Sequence, residues 1–214
     1  MTEAIAILRD GGWVMAPIAL CSVVAAAIIL ERSFALRRQR VIDPALTALT
    51  ARPGSGAPAG DVLEACQGSP SPFARIIEET IHARELGRAQ AVETMHATGR
   101  SQMGTLQRGL TVLEIIAGVS PLLGLLGTVL GMVTVFNAIT AEGIGNPQVL
   151  SAGISQALVT TVAGLSVAIP ALAAHSWFSR RVEELATEMH ERATVFVARL
   201  FPGGDEDSGG YSAI

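Results

Sequence analysis

Charge is scarce in this sequence, and one kind of it is missing altogether. Only 16% of the 214 residues are Asp, Glu, Lys or Arg, and all 15 basic residues are arginine. An ordinary soluble domain carries about 25% charge. The absence of lysine carries no argument about function. Aromatic residues are few as well, at 4%. The two cysteines, Cys21 in an apolar run and Cys66 in a polar one, argue against a disulfide framework. No nucleophile–base arrangement and no metal-ligand cluster stands out, so the sequence predicts no enzyme, no cofactor and no metal.

What fills the chain instead is long uncharged runs. Half of the residues are apolar and the mean hydropathy is +0.45. Residues 11–30, 115–141 and 143–179 contain no Asp, Glu, Lys or Arg. Each run meets or exceeds the roughly 20 residues that a membrane helix needs. A soluble enzyme, a nucleic-acid binder and a disordered chain are all poor fits. The expected fold is an all-α membrane protein with three transmembrane helices, the second and third extended into a cytoplasmic helical bundle.

The arginines set the orientation. Ten lie between Arg32 and Arg108, four follow Ser179, one precedes the first span, and none lies in 141–149. By the positive-inside rule the N-terminus is outside and the C-terminus cytoplasmic. A cleaved signal peptide is the competing reading of the first run, but its basic residues follow the apolar core instead of preceding it. The expected segments are an outer N-terminus (1–12), a first span (13–31) and a cytoplasmic region (32–112) with a Pro/Gly/Ser linker at 51–60. A second span (113–140), an outer loop (141–149), a third span (150–178), a helix extension (179–201) and a disordered acidic tail (202–214) complete the chain.

Local signals punctuate these segments. Asp43-Pro44, Ser71-Pro72 and Asn146-Pro147 each read as an N-cap followed by proline at the first helical position. From Pro72 the apolar stripe Val92, Met95, Met103, Leu106, Leu110 and Leu113 runs, with a break at Gly99, into the second span. Past the third span, Val182, Leu185, Met189, Phe196 and Leu200 continue a stripe. A helix from 147 to 200 is roughly 80 Å long, of which the hydrocarbon core takes about 30 Å. Pro170 is a candidate kink.

Small residues line the second span at Ser120, Gly124, Gly127 and Gly131. A second line, Ala157, Thr161, Gly164, Ala168, Ala171 and His175, marks the third. Such faces let backbones approach closely in lipid, which plain helix packing alone would account for; Ser120, Gly124, Gly127, Gly131, Gly164 and Ala168 are assigned to packing between subunits. The polar side chains are Thr128 and Thr134 in the second span and Gln156, Thr160, Thr161 and Ser166 in the third. A lone membrane threonine commonly bonds its own i−4 carbonyl. No carboxylate or cation lies within 11–30, 115–141 or 143–179, so a proton path through this chain needs a titrating group from another polypeptide.

The segment PLLGLLGTVLGM (121–132) strongly resembles the second-span motif of the MotA/TolQ/ExbB proton-channel family. GISQALVTTVAGL (153–165) followed by AIPA (168–171) is similar to its third-span motif. The likeness covers about residues 10–200 and is closer to ExbB or TolQ than to four-span MotA. The resemblance implies a bacterial inner-membrane homopentamer around an ExbD/TolR-like single-span subunit whose intramembrane Asp carries the proton. Proton-motive force then does work on a periplasmic TonB- or TolA-like protein. Thr128 and Thr161 match the pore threonines, and Thr160 and Gln156 are grouped with them as proton-path lining. Many ExbB and TolQ proteins have Glu where Gln156 stands, so any role that needs that carboxylate to titrate does not carry over. The alternative from another class is a non-conducting oligomeric membrane scaffold.

Overall fold

The computed structural model describes residues 12–50, 59–142 and 147–202. Among the described residues there is no strand. The helices are α1 (Met15–Ala35), α2 (Arg38–Val41), α3 (Pro44–Thr50), α4 (Ala59–Gln67), α5 (Pro72–His82), a 3-10 turn (Ala83–Leu86), α6 (Arg88–Leu106), α7 (Leu110–Glu142) and α8 (Pro147–Leu200). Three of them, α1, α7 and α8, contain stretches long and apolar enough to cross a membrane. The first residues of the chain, most of the 51–60 linker, Asn146 with the loop before it and the tail from 203 lie outside the described residues.

One expectation is corrected. The second span does not continue as an unbroken helix from Pro72. The 3-10 turn and Gly87 (φ +98°) end one segment, and Gly109 (φ +80°) ends the next before α7 begins. Both glycines hold left-handed conformations that L side chains resist. The long helix is α8, with 54 residues. Gly99, expected as a break, lies inside the continuous α6. A lone glycine costs a helix about 1 kcal/mol, too little to end it. Pro121 and Pro170 lie inside α7 and α8, which are continuous.

The chain forms two compact units, Met1–Arg32 with Gly109–Phe178 and Ser33–Arg108 with Ser179–Ile214. In the first, Val14, just before α1, and Met15 and Ile18 of α1 form a buried cluster against Leu123 and Leu130 of α7 and Ala163 and Val167 of α8. Only 11%, 22% and 28% of the three apolar windows are buried within the chain. Most of their surface is therefore left for lipid or neighbouring subunits.

The second unit is built by caps and amphipathic faces. Ser71 Oγ accepts from the Ala74 amide at 3.2 Å, with Pro72 opening α5, and Asp43 Oδ1 accepts from the Ala45 amide at 2.9 Å. One face of α5 buries Phe73, Ile76, Ile77 and Ile81, and α5 packs against α4 and α6. Val182, Leu185, Met189, Ala193 and Phe196 of α8 are buried in the same unit. Arg199 donates to the Thr50 carbonyl, which ends α3, at 2.7 Å. Burial pushes the Cys66 thiol up to about 11, with the Glu78 charge adding to it. A thiol held neutral in this way is unreactive at neutral pH.

Glu188 ties this unit together electrostatically. It accepts from Arg38 Nε at 2.9 Å and from Arg38 Nη2, and from Arg192 Nε at 2.9 Å. The Arg38 hydrogen bonds lead in lowering its carboxyl from 4.5 to about 2. A depressed folded-state value means that the stabilisation is complete above about pH 4.5 and is lost as pH falls through about 2. Because the pair is partly solvent-exposed, Glu188→Gln is expected to cost only about 1 kcal/mol at pH 7. Thermal melts of the two proteins should differ at pH 7 and converge toward pH 2; a constant gap would contradict the assignment.

Candidate functional site

The close contact of α7 with α8 starts from absent side chains. A Cβ on Gly164 would lie 2.5 Å from the Ser120 carbonyl oxygen, and one on Gly124 would lie 2.9 Å from that of Thr160. One on Gly131 would meet the Gly153 carbonyl oxygen at 2.8 Å and the Ala157 Cβ at 3.0 Å. One on Gly127 would fall inside the Thr160 side chain, 2.3 Å from Oγ1. Ala157, Ala168 and Ala171 are buried along the same unit's α8 segment. The small residues assigned to contacts between subunits thus make their close approach within one chain. The physical reason is local: consecutive spans joined by a short connection present complementary small faces to each other first.

Three hydroxyls collect at the centre of this contact. Thr128 Oγ1 and Thr161 Oγ1 share a 2.6 Å hydrogen bond in which either can donate. Thr128 also lies within donating distance of the Gly124 carbonyl (3.2 Å) and the Ala157 carbonyl (3.4 Å), and Thr161 of the same two oxygens at 3.4 and 3.3 Å. Thr160 Oγ1 donates to Ala157 O at 2.9 Å, with Gly124 O at 3.4 Å. Each hydroxyl has several acceptors and one proton, so the donor direction can change without moving a heavy atom.

Of the four side chains grouped as one path, the three threonines share the contact and Gln156 stands apart. Thr128 and Thr161 are half-buried at the seam between the two helices. By helical periodicity they lie on the flank away from Leu123, Leu130, Ala163 and Val167, the residues that meet α1. Thr160 is fully buried against Gly127 and takes the place in the packing line that Thr161 was expected to fill. Gln156 is on the α1 flank, where a Cβ on Gly12 (φ +70°) would lie 2.3 Å from its Nε2. Gly12 and Gly153 join the close contacts as well. Gly153 stands four residues before Ala157 in the small-residue line, a spacing that does mark it, whereas the Gly12 contact spans the whole membrane unit and has no local signal.

The seam is flanked by exposed apolar side chains. Leu125 (57% exposed) stands beside Thr128, and Leu158 and Val162 (both 63%) stand beside Thr161. A third apolar helix laid along this flank would cover the leucines and meet both hydroxyls. In such a setting, two donors facing a carboxylate favour its charged form while burial favours the neutral one. Among the described residues no group of three or more His, Cys, Asp or Glu could hold a metal ion. Ser120 is fully buried and its hydroxyl has no hydrogen-bond partner among the described residues.

Comparison with known proteins identifies the family. Residues 69–191 match the family described as the MotA/TolQ/ExbB proton channel family. The chain is 32% identical over 169 residues to an ExbB-like biopolymer transport protein of Synechocystis sp., covering 76% of this chain and 78% of that protein. It is 30% identical over 132 residues to the Tol-Pal system protein TolQ of Haemophilus influenzae, covering 56% and 58%. To the biopolymer transport protein exbB1 of Vibrio cholerae it is 45% identical over 75 residues, covering 35% and 33%. With three apolar helices and both glycine-rich motifs in order, the chain is an inner-membrane, ExbB/TolQ-like member of the MotA/TolQ/ExbB proton channel family.

Proposed function

We propose that this chain is the ring-forming subunit of a proton-driven membrane motor, and that Thr128 and Thr161 line its proton path. The observation that carries the reading is the hydrogen-bonded threonine pair, half-buried and unaccompanied by any ionisable side chain within residues 115–141 or 143–174. Such a pair can solvate a proton-carrying group but cannot be one. The carrier is then an Asp on the membrane helix of an ExbD/TolR-like single-span partner. Five copies of this chain surround that helix, with N-termini periplasmic and C-termini cytoplasmic, and the output is work on a TonB- or TolA-like protein. The exposed apolar flank beside the threonines is where the partner helix would lie. The scaffold reading, in which the glycine faces serve only oligomerisation, gives no role to the paired hydroxyls of Thr128 and Thr161.

The test is co-expression with a single-span partner bearing an intramembrane Asp. Native mass spectrometry of the purified complex should show five copies of this chain with the partner retained. A stable homo-oligomer that never captures such a partner would contradict the motor reading and favour the scaffold.

A further inference from the structure

A cavity of about 380 Å³ opens in the second unit, between α6 and the 183–193 stretch of α8. It takes no part in the membrane chemistry above. Its floor is apolar and sulfur-rich: Met95, Met103 and Met189, with Ile76 of α5. Thioether side chains adapt to apolar shapes better than branched ones do. One edge carries His96 and His190, whose rings stack with centroids 5.1 Å apart, and Arg100. Among the described residues Arg100 makes no hydrogen bond or ion pair. Glu183, two helical turns from His190 along α8, stands on the same lining.

Gly99 forms part of the wall, and its presence is otherwise unexplained. A Cβ there would meet nothing within 4 Å, and its backbone is not left-handed. Neither crowding nor conformation requires glycine, yet in mid-helix it costs about 1 kcal/mol relative to alanine. What the missing side chain leaves is open volume. An apolar cavity of a few hundred Å³ with a few converging polar groups is the usual form of a small-molecule site.

We propose that this cavity binds a small anionic amphiphile. Its single negative head pairs with Arg100, the two imidazoles supply further polar contacts, and its short acyl or aromatic body lies on the three methionines. Glu183 disfavours a second negative group on the ligand.

The test uses the full chain in lipid nanodiscs with ¹³C-methyl methionine, and octanoate as the probe. Octanoate should shift the Met95, Met103 and Met189 methyl signals saturably, while Met15 and Met132 of the membrane unit stay in place. Acetate, which lacks the body, and octylamine, which inverts the head charge, should not saturate the site. Arg100→Gln should weaken octanoate about tenfold, as loss of one charge-assisted hydrogen bond does. Gly99→Leu, for which the first added atom meets nothing, should abolish saturation in a folded protein. Three results would overturn the proposal: wild-type affinity in Arg100→Gln, equal shifts of all methyls by octanoate and 1-octanol through bilayer partition, or no response at the three methionines because a second copy of the chain fills the groove.

Discussion

Gly164→Ala is expected to unfold the membrane unit at temperatures where the parent protein is stable. The added methyl carbon would sit 2.5 Å from the Ser120 carbonyl oxygen and 3.2 Å from the Gly124 Cα and amide nitrogen. All three obstacles are backbone, so no rotamer change relieves them, and α7 must move away from α8 along its length. Overpacking of this kind costs roughly 1–3 kcal/mol and more where the surroundings cannot yield; the upper end is expected here. Gly127→Ala meets the Thr160 side chain instead, at 2.3–2.8 Å, in a position with no exposed surface to retreat to. The control is Gly118→Ala, whose Cβ would meet nothing within 4 Å and which should gain up to about 1 kcal/mol of helix propensity. Ser120→Ala should be neutral or slightly stabilising, since an unpaired buried hydroxyl contributes nothing beyond its size. Melting curves in detergent at two protein concentrations decide the matter. A clash within the chain lowers the melting temperature equally at both, whereas a clash between subunits gives a concentration-dependent loss. Gly164→Ala matching Gly118→Ala would contradict the described contact.

The three membrane helices were legible because lipid removes alternatives: an uncharged run of some 20 residues has few other solutions. Asp43 and Ser71 were legible as caps because a short polar side chain before proline satisfies a local amide. The breaks at Gly87 and Gly109 were not, because a glycine inside a periodic stripe looks the same whether it is tolerated, as Gly99 is, or left-handed, as Gly87 and Gly109 are. The packing line of α8 was misread by one residue. Thr160 and Thr161 stand three and four positions after Ala157, and both spacings face one side of a helix. Only the partner helix decides which enters the contact and which stays at the seam. The same ambiguity placed Gln156 beside the threonines, although its amide lies against Gly12 on the other flank. The adjacency of Thr128 and Thr161, 33 positions apart, was available only through resemblance to known sequences and not through any local rule.

On the proposed reading, with Gln156 against Gly12 on the other flank, the two seam threonines have equal standing. Each donates one proton, each can accept, and both reach the same two carbonyls. Valine keeps the shape of threonine and deletes the hydroxyl, so packing against Gly124 and Ala157 should survive. A hydrogen bond to a charged group contributes roughly 1.5–3 kcal/mol, and about 1.4 kcal/mol on a barrier is tenfold in rate. Thr128→Val and Thr161→Val are each expected to slow proton transfer about tenfold, and the pair together about a hundredfold. Gln156→Ala should leave the rate nearly unchanged.

The most direct measurement of this account is proton flux into vesicles containing the complex of this chain with its Asp-bearing partner, comparing the parent with the Thr128→Val, Thr161→Val double variant. The complex is expected to stay intact while its flux falls about a hundredfold, in proportion to the lost donors. Full flux through the intact double variant would contradict the proposed role, and would leave the threonine pair as packing alone.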